Sequence, residues 1–155
     1  MSTEKIITNS SEETQKFSEA LAQKILQGKQ YERAIVLSLS GDLGAGKTTF
    51  IQGFAKGLGI EEKILSPTFI VMKRFKIKDS RFKNFYHFDC YRLDNEKDLE
   101  TLGFVEIIEN PENIVAIEWP ERVEKILPKE VALIKFKHLE GSKRELTIEN
   151  FILQT

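Results

Sequence analysis

The residues Gly41 to Thr49 read Gly-Asp-Leu-Gly-Ala-Gly-Lys-Thr-Thr and fit the spacing G-x-x-x-x-G-K-[ST]. In that pattern glycines let backbone N–H groups turn inward around a phosphate, so Asp42, Leu43, Gly44, Ala45, Gly46, Lys47, Thr48 and Thr49 form a candidate phosphate cradle. Lys47 can reach the β and γ oxygens, and the Thr48 hydroxyl can ligate Mg²⁺. A chain of this length matches by accident roughly once in two hundred, given ordinary glycine usage of about 7%. The dinucleotide turn G-x-G-x-x-G fits worse, because it needs glycine where Thr49 stands and has no role for Lys47 and Thr48. Nucleoside triphosphate binding is the chemistry implied.

Phosphoryl transfer also needs acids near the metal, and two places can supply them. Ile114-Val115-Ala116-Ile117-Glu118 is an apolar run closed by a carboxylate. Downstream of such a loop, an acid at a strand end reaches Mg²⁺ directly or through water; the alternative is an ordinary surface glutamate. Asp89, within His87-Phe88-Asp89-Cys90-Tyr91-Arg92-Leu93, would be costly to bury among aromatics without a cation. It is either a metal neighbour or an exposed, Arg92-paired acid. Ser66-Pro67-Thr68-Phe69 is stiffened by Pro67 and carries two hydroxyls; it reads as a plain turn or as a switch-like segment whose Thr68 senses the γ-phosphate or its Mg²⁺.

Elements must hold these residues in place. Ala34 to Leu39 suits a buried strand, and Phe50, Ile51, Phe54, Ala55 and Leu58 recur at helical spacing, so strand, loop and helix follow in the required order. Earlier, Ile6-Ile7 suits a short opening strand. Ser10 with Glu13 forms a capping box for a helix bearing Phe17, Leu21, Ile25 and Leu26 and ending at Gly28. The turn from Thr8 to Ser11 could therefore lie near the nucleotide base. Phe69 to Ile77 and Phe85 to Tyr91 read as a hairpin across the basic loop Lys78 to Lys83. Leu99, Leu102, Phe104, Val105, Ile107 and Ile108 read as helical packing broken at Gly103. Pro120 opens a helix to Leu127, and Val131 to Leu139 with Arg144 to Ile152 form a closing hairpin around Gly141-Ser142 at the sheet edge. Alternating strands and helices predict an α/β fold: a mostly parallel, helix-covered sheet with antiparallel strands at its edges.

The 155 residues are most economically one domain. With 41% hydrophobic and 30% charged residues and a formal net charge of -1, no global field points to nucleic acid or membrane. Charge is nonetheless uneven. Lys73, Arg74, Lys76, Lys78, Arg81 and Lys83 face only Asp79 among their neighbours, while Asp94 to Glu112 is acidic; these are solvated faces or docking surfaces. No run approaches a membrane span, so a soluble, cytoplasmic protein is expected. Cys90 is the single cysteine, and with two histidines there is no Cys/His cluster for zinc. Trp119 is either core or an exposed binding ring.

Taken together, Gly41–Thr49, Ser66-Pro67-Thr68-Phe69, His87 to Leu93 and Ile117-Glu118-Trp119-Pro120 resemble the TsaE (YjeE) family of P-loop NTPases. These are bacterial ATPases needed to make threonylcarbamoyladenosine in tRNA. The resemblance runs in order over nearly the whole chain. It implies a Mg²⁺-dependent ATPase that is weak alone and acts with the TsaD–TsaB heterodimer, which transfers threonylcarbamoyl from its adenylate to an adenosine beside the anticodon. The tRNAs concerned read codons that start with adenine, and any contact with tRNA would run through that complex. By the family's pattern Lys47 and the loop amides hold the phosphates, Thr48 and Glu118 serve Mg²⁺, and Asp89 lies by the metal or orients the attacking water. Thr68 belongs to the switch-like loop, and Trp119 sits at the site mouth. The base is flanked by the early turn, here Ser10 and Ser11, and by the late hairpin near Gly141 to Arg144. The family often has Leu where Cys90 stands. Arg92 or a partner residue would stabilise charge in the transition state.

Three other readings share parts of this sequence. A small-molecule or nucleotide kinase would need a second pocket and an Arg-rich lid, for which Lys73 to Lys83 is mostly Lys. A GTPase lacks support, since no N-K-x-D or D-x-x-G is present. A non-hydrolysing ATP-dependent scaffold would tolerate loss of Glu118.

Overall fold

The short apolar runs become strands and the 3.6-period runs become helices, in the order β1 (Thr3–Thr8), α1 (Ser11–Gln27), β2 (Ile35–Ser40), α2 (Lys47–Gly57), β3 (Met72–Lys76), β4 (Asn84–Asp89), α3 (Glu96–Glu100), α4 (Phe104–Glu109), β5 (Asn113–Glu118), β6 (Ala132–His138) and β7 (Arg144–Glu149). A 3₁₀ segment, Pro120–Ile126, lies between β5 and β6 and is kinked at Val123. The computed structural model describes residues 3–42, 44–64 and 71–149. Leu43 and the segment containing Thr68 lie outside the described residues.

All seven strands form one sheet in the order β1-β7-β6-β2-β5-β4-β3. Its centre, β6-β2-β5-β4, is parallel, and the pairings β3 with β4, β6 with β7 and β1 with β7 are antiparallel. The expected α/β arrangement is present. One detail differs: the hairpin of β6 and β7 is not at the edge. β1 pairs along the whole of β7, from Thr3 opposite Glu149 to Thr8 opposite Arg144. An opening strand of two apolar residues gave no sign that it would extend to six residues and close that flank.

Strand alternation sorts the side chains between two cores. Ile35, Leu37 and Leu39 of β2, Phe85 of β4 and Ile114 and Ala116 of β5 face α1 and α2, where they pack with Leu21, Ile25, Phe50 and Phe54. Val36, Phe88, Val115 and Ile117 face the other way, onto Leu99, Phe104 and Val123. Each fully buried Phe or Leu contributes about 1.5–3 kcal/mol relative to exposure. The helix expected from Pro120 to Leu127 is instead the kinked 3₁₀ segment, which is anchored in the second core by Val123.

Two glycines let α1 and α2 approach closely. A Cβ on Gly53 would come within 2.2 Å of the Ser18 Oγ and 2.4 Å of the Gln15 carbonyl oxygen, and one on Gly57 within 2.4 Å of the Glu19 carbonyl. The phosphate-loop helix is thereby locked against the helix that carries Ser10 and Ser11. No helix among the described residues is long and apolar enough to cross a membrane.

Candidate functional site

Three central parallel strands, β2, β5 and β4, bring their C-terminal ends to one end of the sheet. β2 runs into the glycine loop and α2, β5 ends at Glu118 and β4 ends at Asp89. Leu39 is registered with Glu118, and Glu118 with Asp89. In an open α/β sheet this is where ligands bind. Period-two alternation then puts Glu118 two places beyond Ala116, on the α2 face, and Asp89 four beyond Phe85 on the same face.

The loop is shaped for an anion. Gly41 has φ 145° and Gly46 φ 105°, conformations costly for any other residue. A Cβ at Gly41 would also meet the Phe136 carbonyl oxygen at 2.7 Å. The turn is closed by the Ala45 N–H donating to the Asp42 carbonyl at 3.1 Å. α2 starts at Lys47 with no side-chain cap and no acid in its first turn. A helix start with no side-chain cap, a positive dipole end and an adjacent lysine suits a phosphate. Thr48, the second residue of α2, is half-buried.

Lys47 is only 4% exposed. Its Nζ donates to the Gly41 carbonyl at 2.6 Å and lies 3.8 Å from the centre of the Trp119 ring. Burial pulls its pKa below the ordinary 10.5, against the opposing pull of Glu118, Glu121, Asp89 and Asp42. The ammonium is thus buried with one carbonyl and one ring as its direct partners and no carboxylate within ion-pair distance among the described residues. Trp119 itself adopts a left-handed backbone, φ 58° and ψ 52°, and its ring also packs 5.0 Å from Tyr91. The two sequence readings of Trp119 merge, since the ring is half-buried against the second core while covering Lys47.

The acids are placed differently. Glu118 is 4% exposed and shares a 2.6 Å hydrogen bond with His87 Nε2, itself 6% exposed. Asp89 Oδ1 accepts from the Tyr91 N–H at 3.0 Å. Burial raises the Asp89 pKa above 3.8, and Glu118 repulsion adds to this. Two carboxylates at adjacent strand ends, one with its pKa raised chiefly by burial, are a place where a divalent cation would relieve cost. Among the described residues no group of three His, Cys, Asp or Glu is placed to hold a metal. The chemistry of the Thr48 hydroxyl and the Glu118 and Asp89 carboxylates, all oxygen donors, would suit a hard cation such as Mg²⁺.

A second cluster flanks the loop. Arg144, first residue of β7, donates through Nη2 to the Gly44 carbonyl at 3.2 Å, and its side chain is the nearest neighbour of Gly46. Its register partner on β1 is Thr8, whose hydroxyl bonds Thr14 at 2.6 Å. The early turn and the late hairpin, far apart in sequence, thus meet beside the glycine loop. The Ser10 hydroxyl is spent as the helix cap, accepting from the Glu13 N–H at 3.1 Å, while Glu13 Oε1 accepts from the Asn9 N–H at 3.1 Å. Ser11 is exposed in the first turn of α1. Sequence reasoning passed over His87, although a residue two before Asp89 on one strand must share its face; that spacing was the available signal. Cys90, on the opposite face, is fully buried and its thiol is pushed up to about 12 by burial.

The model of a family described as threonylcarbamoyl adenosine biosynthesis protein TsaE matches residues 8–146. A tRNA threonylcarbamoyladenosine biosynthesis protein TsaE from Bacillus subtilis is 41% identical over 112 residues, 72% of this chain and 67% of the relative. Its counterpart from Rickettsia typhi is 33% identical over 147 residues, 93% and 94% of the two chains. The crystal structure of Bacillus subtilis YdiB superposes with a TM-score of 0.72 at 33% identity, covering 95% of this chain and 84% of that one. With a glycine loop opening an uncapped helix, strand-end acids beside it and likeness over most of its length, this chain belongs to the TsaE family.

Proposed function

We propose that the protein is a Mg²⁺-dependent ATPase, slow when alone, that serves threonylcarbamoyladenosine formation in tRNAs reading codons that start with adenine. It acts in the cytoplasm as one domain with the TsaD–TsaB heterodimer and supports turnover of that complex without performing the transfer. The observation that carries this reading is the dry Lys47 at an uncapped helix start, with Glu118 and Asp89 at the neighbouring strand ends. The printed names of the relatives support the tRNA process.

In this reading Asp42, Leu43, Gly44, Ala45, Gly46, Lys47, Thr48 and Thr49 bind the triphosphate. Arg144 and the turn at Ser10 and Ser11 stand on the side where the base would rest. Thr48, Glu118 and Asp89 would hold Mg²⁺, which when bound would neutralise charge on the phosphates. Thr68 belongs to the loop that responds to the γ-phosphate. Lys47 leaves the Gly41 carbonyl and the Trp119 ring to meet phosphate oxygens, and Asp89 orients the attacking water. Trp119 and Tyr91 cover the mouth.

The test is phosphate release by wild type and Lys47→Ala, each with and without TsaD–TsaB and tRNA. Slow release that rises on adding the heterodimer and vanishes in the variant supports the proposal. Fast release indifferent to the heterodimer, or phosphate delivered to a small-molecule acceptor, refutes it.

A further inference from the structure

Lys47 and Glu118 are oppositely charged, each 4% exposed, at the same end of the sheet. Glu118 is also the strongest charge acting on Lys47. Two such groups in a dry site should close on one another, because attraction at low dielectric far exceeds that at the surface. They do not. Among the described residues Lys47 makes no ion pair within 4.0 Å of a carboxylate. Its ammonium is spent on the Gly41 carbonyl and the Trp119 ring, while Glu118 Oε2 is taken by His87 Nε2 at 2.6 Å.

The position of His87 explains this separation. It lies on β4, opposite Ala116 of β5, so it stands two register pairs back from the strand ends where Asp89 meets Glu118. Its ring is on the α2 face, like Phe85 and Asp89, and bonds Glu118 from the core side. One glutamate oxygen is thereby committed to β4 and not to Lys47. With one oxygen occupied, only Oε1 is left to the mouth of the site.

We propose that His87 is a positioning residue that holds Glu118 off Lys47, so that the site's buried acid and buried base remain available for the metal and the phosphates. This deepens the ATPase reading and rests on it. Without the imidazole donor, Glu118 swings to Lys47 and the two charges quench one another. The phosphate site and the metal site would then be lost together.

The distinguishing measurement is binding of the fluorescent nucleotide mant-ATP in EDTA, where Glu118 has no metal to hold. His87→Phe keeps an aromatic ring but no donor and should weaken metal-free binding by about tenfold, the scale of one charge-assisted hydrogen bond. His87→Gln, whose amide can donate to the carboxylate, should recover most of it. His87→Phe combined with Glu118→Ala should bind as Glu118→Ala alone, because no acid remains to quench Lys47. That non-additivity is the signature, and a merely structural defect at His87 would persist in the double variant. Unchanged binding in His87→Phe, or additive losses in the double variant, overturns the proposal. Failure of the wild type to bind mant-ATP with or without Mg²⁺ would instead sink the ATP reading. The separation itself is then judged from the nucleotide-free crystal structure of His87→Phe: Glu118 within about 4 Å of Lys47 Nζ upholds it, and Glu118 left in its present place ends it.

Discussion

The glycine loop is met from two sides, and the sides differ in how dry they are. Toward β5 and β4 the neighbours are Lys47, Glu118 and His87, each less than a tenth exposed. Toward β7 and β1 they are Arg144 and the turn at Ser10 and Ser11, half-buried or open to solvent. The first side is made by parallel strands ending together beside α2, where Lys47, Glu118 and His87 are buried and Asp89 is half-buried. The second is made by antiparallel strands, and there Arg144 and Ser10 are half-buried and Ser11 is exposed, although Thr8 and Thr14 beside them are buried. In a dry environment charges act strongly but are costly to leave unmatched; in a wet one they position a ligand weakly and cheaply. On the ATPase reading proposed above, the contrast suits chemistry on the parallel side and placement of the ligand on the antiparallel side.

The largest effect should come from the dry side. Lys47→Ala is expected to lower phosphate release by about 10² to 10³-fold, the usual loss for one preorganised donor to developing charge, while the protein still folds, because the cost of burying the ammonium disappears together with its bond to Gly41 and its contact with Trp119. Phosphate release and thermal melting measured together check this. If the rate survives, the chemistry is elsewhere.

The clamp between the two sides comes next. Gly53→Ala forces a Cβ to within 2.2 Å of Ser18 Oγ. Overpacking of this kind costs about 1–3 kcal/mol, which should lower the melting temperature by several degrees. It should also loosen nucleotide binding, because α1 and α2 each carry part of the site. An unchanged melting curve would mean that the helices are free to slide.

A smaller effect belongs to the wet side. Arg144→Ala removes the guanidinium that bonds the Gly44 carbonyl and lines Gly46. About tenfold weaker mant-ATP binding with the maximal rate held is expected, since one charge-assisted hydrogen bond is worth about 1.5–3 kcal/mol when well formed. A fall in rate at saturating nucleotide would blur the division between the sides.

The smallest effect depends on pH. The Asp89 pKa is raised by burial and by Glu118, so the native state holds this proton more tightly than the unfolded chain does. The ionised carboxylate therefore penalises the fold at neutral pH, and the penalty fades as pH falls through the raised value toward 3.8. Asp89→Asn should melt higher than wild type at neutral pH without Mg²⁺, with the gap closing on acidification. A gap that widens toward acid would mean that Asp89 is stabilised by a cation already within the fold.

How much of this could be read beforehand depends on range. Lys47, Thr48 and the glycines were legible because a nine-residue pattern carries its own backbone geometry. Glu118 and Asp89 were legible as acids at the ends of apolar runs. The bond between His87 and Glu118 was not, because it joins residues 31 positions apart and depends on β4 lying parallel beside β5. Arg144 was reached only through the family resemblance, since nothing in its own neighbours announces a glycine loop 100 positions earlier. The 3₁₀ turn after Pro120 was read as an ordinary helix because proline at a helix start is compatible with both.

Local order was already decided along the chain: hydrophobic period set the strands and helices, glycine placement set the loop, and Ser10 set the start of α1. Which strands became neighbours, that Glu118 is bonded to His87 and not to Lys47, and what covers the ammonium were decided only in three dimensions. The reason is physical. Backbone preference acts over a few residues, whereas desolvation and pairing of charge depend on whatever the finished fold brings within a few ångströms.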